Sequence, residues 1–488
     1  MARSSVQRFV LPLVIILVCG CSDKTVSAPQ EALELPPLPT ISVDKLDEET
    51  QLKFDEIQQM LASNPRDGRS NAQFARLLHA YSLYAPAAIV YERCVALRPN
   101  DLECLYLEAL TKRQLGNNEA ASELLAQLVR RKPHFPRAAV VLASTYSEQG
   151  KLELAEPLFE QAVNKSADNL EAAYGLSMVL LDQGELERAK SILLGIHKNG
   201  QNFGIVHAAL ATLSRQQGRL EDAAFYTAAA QRFADSKIPF TDAVLWAVQD
   251  EQVGEQRLVK DAAALFKQGR LREAAAVYVK AVVVNPQNST SHTSLVGIYG
   301  QLGNTRGAQR HFEKARELNP TSVAPLMAMG TVQLKRGNFA GARDLFAEVL
   351  ELKPKHAEAR TLRAYCAELL GETVQPEEFR RALDDDSTQS LAHYLLGRML
   401  VKDEGCKKAL PHLRASLRIE SAQTPAFVSD LVRCLVEEGE TNDARKWLES
   451  GFSMARHYRN AGAENALIQV RDELSSKLGL AVEGVSSQ

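Results

Sequence analysis

Pro65, Pro99 and Pro133 follow one another at intervals of 34 residues, and Pro286, Pro320 and Pro354 do the same. A fixed period of that size points to a chain of like supersecondary units, each burying its face against the next, rather than to one globular core. The stretch SLVGIYGQLGNTRGAQRHFEKARELNP, Ser294 to Pro320, shows one unit: Leu295, Tyr299, Gly303, Ala308, Phe312 and Ala315 in a set rhythm. The same rhythm returns as Leu142, Ala143, Tyr146, Gly150, Ala155, Phe159 and Ala162, and again as Met329, Gly330, Gly337, Ala342, Phe346 and Val349. Units begin at 68, 102, 136, 170 and 204, then at 255, 289, 323, 357, 390 and 425.

Apolar positions recur at i, i+3, i+4 and i+7, so each half-unit is a helix with one buried stripe. Gly303 and its equivalents fall between the two helices, where a left-handed residue ends the first. Ala308 and its equivalents are small where helices cross, the large residue four positions on fills the adjoining layer, and the closing proline stops the second helix. The unit at 357 fits worst: Pro376 stands where the small residue belongs, and helix boundaries between 372 and 392 are doubtful.

This pattern resembles the tetratricopeptide repeat (TPR) family over most of the chain. The resemblance implies an all-α helix-turn-helix solenoid, a right-handed superhelix of about eleven repeats, units 1–5 over 68–237 and units 6–11 over 255–458. Residues 238–254, IPFTDAVLWAVQDEQVG, are half a repeat long and break the register. They predict one unpaired helix near Thr241–Gln252, read as a real junction that bends the solenoid or divides it into two lobes. Capping helices are expected at 47–67, with Phe54, Ile57 and Leu61 on one face, and at 459–479, followed by a mobile tail over 480–488.

The N-terminus differs. Arg3 and Arg8 precede an apolar run from Phe9 to Val18, which has the length of an export signal and is too short for a membrane span. Val18-Cys19-Gly20-Cys21 resembles a bacterial lipobox, which makes residues 1–20 a signal peptide and Cys21 the lipidated first residue, held by palmitate-type acylation. Ser22 leans towards the outer membrane. Residues 21–46, with Pro29, Pro36, Pro37 and Pro39, read as an extended tether. Cys94 and Cys104 fall on successive helices; a disulfide suits an oxidising compartment, but two buried thiols are the expectation. No CxxC or Cys/His spacing indicates a metal.

The formal charge of −3 and mixed charges argue against a nucleic-acid partner. The ten His are scattered without paired spacing, and no P-loop, GxGxxG or GxSxG context is present. Asp384–Asp386 read as a solvated turn. No cofactor, metal, catalytic residue or small-molecule substrate is expected, and the repeats leave no room for an enzymatic domain. The family's ligands lie in the concave groove, on positions 2, 5, 9, 12 and 13 of each first helix. Carried over by register, that nominates Tyr106, Arg113, Tyr174, Met178, Tyr365, Tyr394 and Arg398 as contacts for a protein or peptide, against the plainer reading that such residues pack on neighbouring helices. The Lys/Asn pair of carboxylate-clamping TPR domains is missing from every unit. The functional expectation is a lipid-anchored scaffold or adaptor in a bacterial envelope complex, serving secretion, pilus or polysaccharide export, or outer-membrane assembly. The alternatives are a subunit presenting substrate to a separate enzyme, and a cytoplasmic regulatory TPR protein.

Overall fold

The computed structural model describes residues 34–44, 46–135, 137–197 and 202–478. The expected signal peptide, Cys21 and the tail over 480–488 lie outside them. Among the described residues every regular element is helical, and no helix is long and apolar enough to cross a membrane.

A capping helix, α1 (Glu48–Ser63), precedes five pairs of A and B helices: α2 (Gly68–Ala80) with α3 (Tyr84–Leu97), α4 (Leu102–Gln114) with α5 (Asn118–Arg131), α6 (Ala138–Glu148) with α7 (Leu152–Lys165), α8 (Leu170–Asp182) with α9 (Leu186–His197), and α10 (Gly204–Gln216) with α11 (Leu220–Arg232). A short helix, α12 (Ala243–Gln249), stands unpaired. Six pairs follow: α13 (Gly254–Lys267) with α14 (Leu271–Val284), α15 (Ser289–Gln301) with α16 (Thr305–Leu318), α17 (Val323–Lys335) with α18 (Phe339–Leu352), α19 (Ala357–Leu369) with α20 (Pro376–Asp385), α21 (Ser390–Asp403) with α22 (Cys406–Ala415), and α23 (Thr424–Glu437) with α24 (Thr441–His457). The last helix, α25 (Ala461–Leu478), packs on α23 and α24.

The repeated residues explain these pairs. Gly303 turns the chain between α15 and α16 at φ +74°, a left-handed conformation that costs glycine little. Asn304 then caps α16 by accepting the Gly307 N–H. Ala308, Ala155, Ala189, Ala274, Ala342, Ala409 and Ala444 are fully buried where helices cross. A Cβ on Gly330 would stand 2.6 Å from the Phe346 ring, so the glycine sets how closely α17 meets α18.

The doubtful unit at 357 is a regular pair. Pro376 opens α20, where its missing N–H has no helical partner to lose. Phe346 lies nine residues beyond Gly337 but Phe379 only eight beyond Gly371, so the missing residue is in the turn between α19 and α20. Phe379 and Ala382 still bury completely.

Neighbouring A helices touch one another, α6 with α8 and α15 with α17, which puts the A helices on the inner face of each superhelix. The solenoid is not continuous. After α11 the chain turns back, and residues 236–253 run across the A helices of the first arm to its beginning. There Gln252 Nε2 donates to Ala80 O at 2.8 Å, and Tyr81 Oη lies 3.0 Å from the Val253 N–H and 3.1 Å from its carbonyl. The second arm starts beside α1: a Cβ on Gly254, at φ +65°, would collide with the Asp47 carboxylate. Its far units return to the end of the first arm. Asn202 Nδ2 donates to Glu420 O at 3.0 Å, Arg418 pairs with Asp222 at 2.8 Å, and Ile419 packs on Phe225 and Ala229. The half-repeat interruption expected from the sequence divides the superhelix into two arms, and the arms are joined at both ends.

The tether is also shorter than the proline content suggests. Leu38, Ile41, Val43 and Leu46 pack against the core of the first units. The buried Arg93 guanidinium, holding Asn71 Oδ1 at 2.8 Å and Pro65 O at 2.6 Å, also donates to Pro36 O. Residues 36–44 and Leu46 therefore belong to the folded body.

Both cysteine pairs correct the sequence reading. Cys94 and Cys104 form a disulfide rather than standing as two thiols, and Cys406 with Cys434 forms a second. Each joins a B helix to the A helix of the next unit, α3 to α4 and α22 to α23. Cys366 remains a buried thiol, and burial pushes its pKa up to about 11.

Candidate functional site: two inner faces

The nominated contacts divide between the two arms. Arg113, Tyr174 and Met178 come together in the first arm. They line one cavity of about 470 Å³ with Arg137, Glu148, Glu171, Ile238 and Phe240. Arg113 is already paired, its Nε 3.2 Å from Glu148 Oε2. Burial raises the Tyr174 pKa above the ordinary phenol value. Ile238 and Phe240 belong to the returning segment, so this cavity is what the chain's own connector leaves open.

Tyr106 is enclosed. Its side chain is fully buried, its ring centroid is 5.2 Å from that of Phe135, and its hydroxyl donates to Asp242 Oδ2 at 2.6 Å. Burial first, then the Asp242 carboxylate, raise its pKa. Asp242 is itself fully buried and caps α12 by accepting the Leu245 N–H. Its second partner is Arg137, whose Nη1 is 3.2 Å away while Nε and Nη2 hold Glu171. Burial opposes the Arg137 charge, yet Glu171, Tyr106 and Asp242 together hold its pKa above the ordinary value. Arg137 takes a left-handed backbone at φ +59°, a conformation costing a non-glycine residue about 1–2 kcal/mol.

The second arm has a different inner face. In the middle, Gly297, Gly300, Met327, Thr331, Lys335 and Glu358 line an open hollow of about 290 Å³. A Cβ on Gly297 would meet nothing within 4 Å, so the glycine faces free space, and Phe266 on α13 is 41% exposed. Further along, the nominated residues are tied to their own arm. Tyr394 stacks on Phe427 with centroids 4.2 Å apart and donates to Asp430 Oδ2 at 2.9 Å; burial raises its pKa, with Asp430 adding to it. Arg398 pairs with Glu368 and lies 5.8 Å over the Tyr394 ring. Tyr365 is partly buried against the same C-terminal core.

The histidines are not all scattered. His292 and His311 approach through their Nδ1 atoms at 2.9 Å, and His393 and His412 at 3.0 Å, the fourth and twenty-third positions of their units. His292 Nε2 donates to Pro286 O, so its Nδ1 must accept from His311, and His311 Nε2 is left buried without a partner. Burial holds His311 and His393 at about 4. The signal in the sequence is a His at equal positions of two units, which a period of apolar residues alone does not bring out. These pairs are packing features: the first histidine bonds the turn between units, as Asn71 does at Pro65 O.

Taken together, the paired helices, buried small-residue crossings and accessible inner faces define a helical repeat protein built to bind other proteins, a scaffold class. Tetratricopeptide-repeat family models match residues 106–168, 146–213 and 300–366. Over those residues the repeats are of the tetratricopeptide type. It is 27% identical over 135 residues to Hsp70-Hsp90 organizing protein 1 of Glycine max, over 26% of this chain and 24% of that one. The chain thus spans about a quarter of that relative's length. Among solved structures, Pseudomonas aeruginosa PilF aligns at TM-score 0.36 and 13% identity, over 44% of this chain and 96% of its own. Yeast Tom70 aligns at TM-score 0.36 and 11% identity, over 84% of this chain and 99% of its own.

Proposed function

We propose that this tetratricopeptide-repeat scaffold is an exported, lipid-anchored adaptor of a bacterial envelope complex, and that it receives its partner on the inner face of the second arm. The observation that carries export is the pair of disulfides between consecutive units, Cys94–Cys104 and Cys406–Cys434. Such bonds persist in oxidising compartments and are rare where thiols are kept reduced. The sequence Val18-Cys19-Gly20-Cys21 supports an acyl anchor at the start of the mature chain, and multiple acyl chains hold a protein firmly to a bilayer. With Pro36 docked on Arg93, some fifteen residues from Cys21 separate the anchor from the body. At about 3.1 Å per residue for an extended proline-rich segment, the first unit stands within about 50 Å of the membrane.

Partner binding falls to the second arm because the first arm's inner face is covered by the connector. Gly297 lets a partner backbone approach closely, Met327 and Phe266 offer apolar area, and Lys335 and Glu358 offer one charge of each sign.

The test combines palmitate labelling with crosslinking in the native host. The full-length chain takes up label and fractionates with membranes, and Cys21→Ala does neither. A photo-crosslinker at Thr331 traps an envelope protein, whereas one at Tyr174 gives only links within the chain. An unlabelled, soluble wild-type chain whose four paired cysteines alkylate without reduction would remove the envelope reading. Equal partner crosslinking from both positions would remove the assignment to the second arm.

A further inference from the structure

The first arm's inner face is filled in an ordered way. From Ser236 to Asp242 the connector has no regular secondary structure; Ile238 and Asp242 are buried, and Phe240 between them stays 42% exposed. Ile238 is buried among Leu176, Val179 and Phe203. Phe240 lies flat on the Arg137 guanidinium at 3.7 Å. Asp242 takes the Tyr106 hydroxyl and Arg137 Nη1, and Val244 and Val248 enter the core of the first units. One guanidinium thus reads two anchors, the face of an aromatic ring and a carboxylate two residues on, while Glu171 fixes its fork from the other side.

We propose that the first arm carries a peptide-recognition site for a segment with an aliphatic, an aromatic and a carboxylate residue at alternate positions, the carboxylate capping a short helix that turns an aliphatic side chain inward, and that the chain occupies this site in cis with Ile238, Phe240, Asp242 and Val244. The seated connector is the evidence for what the site accepts. Tyr106 and Arg137 stand three and two units before α11, from which the segment departs, so their match to Asp242 is a feature of the groove and not of local turn geometry. A covalently attached ligand acts at an effective concentration on the order of millimolar. A free segment of equal intrinsic affinity is therefore excluded from the intact chain, and a protein partner engages this groove only when the cis anchors are withdrawn. The site is separate from the hollow of the second arm, so failure of either assignment leaves the other standing.

The experiment uses the full chain and a labelled synthetic peptide of residues 236–249, followed by fluorescence anisotropy. Wild type is expected to show no binding up to hundreds of micromolar. The Phe240→Ser/Asp242→Asn variant, whose own anchors are weakened, is expected to bind the peptide saturably. Adding Arg137→Ala to that variant, or replacing the peptide's Asp by Ala, should weaken binding at least tenfold. A folded double variant that takes no peptide would overturn the proposal, as would binding indifferent to Arg137 or to the peptide's Asp. If the double variant does not fold, Phe240→Ala alone serves: it keeps the Asp242 pair, and peptide binding above the wild-type level is again required. Elution of wild type as a dimer with exchanged connectors would place the segment in a second copy and overturn the cis assignment.

Discussion

The two inner faces of this molecule are built from the same repeat and end in opposite conditions. In the first arm, Tyr106, Arg137 and Glu171 are large and polar, and the chain covers them with Phe240 and Asp242. In the second, the residues at the centre are small, Gly297 and Thr331 among them, and the hollow stays open. A TPR inner face is therefore not a binding site by virtue of position. A long polar side chain there needs a partner because its buried charge is costly when unmatched, and this chain supplies one from its own connector. A glycine there needs nothing and leaves room.

Breaking the first face should have the largest effect. Asp242→Ala leaves the Arg137 charge and the Tyr106 hydroxyl facing an empty position. Removing one partner of a buried ion pair costs about 3–5 kcal/mol, and the retained Glu171 bond puts this case near the lower end. Chemical denaturation should show it, and small-angle scattering should show the arms parting, while Asp430→Ala in the second arm, which frees the partly buried Tyr394, changes the shape little.

Next in size are the staples at the two ends. Cys406→Ser/Cys434→Ser opens the longer loop and Cys94→Ser/Cys104→Ser the shorter. Chain-entropy arguments give about 3 kcal/mol for each, with the longer loop contributing slightly more. Urea unfolding of the two variants should rank them in that order, and an equal or reversed ranking would mean that strain or residual structure dominates.

Acid gives a graded test. His79, His207, His311 and His393 are held at about 4 by burial, below the ordinary 6.5. The unfolded chain binds protons first, so stability is full above about pH 6.5 and declines as the pH falls towards 4. Two of the four stand in the second arm, in His–His pairs of which one leaves the His311 Nε2 lone pair without a donor, so His311→Leu should flatten part of the decline in a melting-temperature profile.

The smallest effect sharpens the comparison best. Gly297→Ala should stabilise the chain by about 0.5–1 kcal/mol, since Ala favours a helix interior over Gly and meets nothing here. Gly300→Ala, one turn on, should destabilise, because its Cβ would sit 2.1 Å from Val332. Thermal melts decide the signs. A larger residue at 297 should keep the fold and abolish crosslinking from Thr331.

The repeats were legible because they are local. Each pair buries Ala308, Phe346 or their equivalents within itself and against the adjacent pair, so a 34-residue period carries nearly all the information needed to build a unit. Even the slip near 372–375 was visible as a doubtful boundary. The candidate site was legible only in part. Register placed Tyr174, Met178 and Arg113 on one face, but no period announces that residues 236–253 lie upon it. The disulfide of Cys406 and Cys434 was missed for a related reason: the two cysteines occupy unlike positions in their units, one at the start of a B helix and one near the end of an A helix.

By itself, then, the sequence determined the helical class, the unit length, the half-unit interruption and the residues that pack units together, because those depend on contacts within about one repeat. The tertiary structure alone decided what the interruption does. Tyr106 meets Asp242 across 136 positions and Asn202 meets Glu420 across 218, contacts whose formation depends on how small rotations between units accumulate along an arm. That sum fixes where the arm ends and which face the returning chain finds, and so which groove is left open.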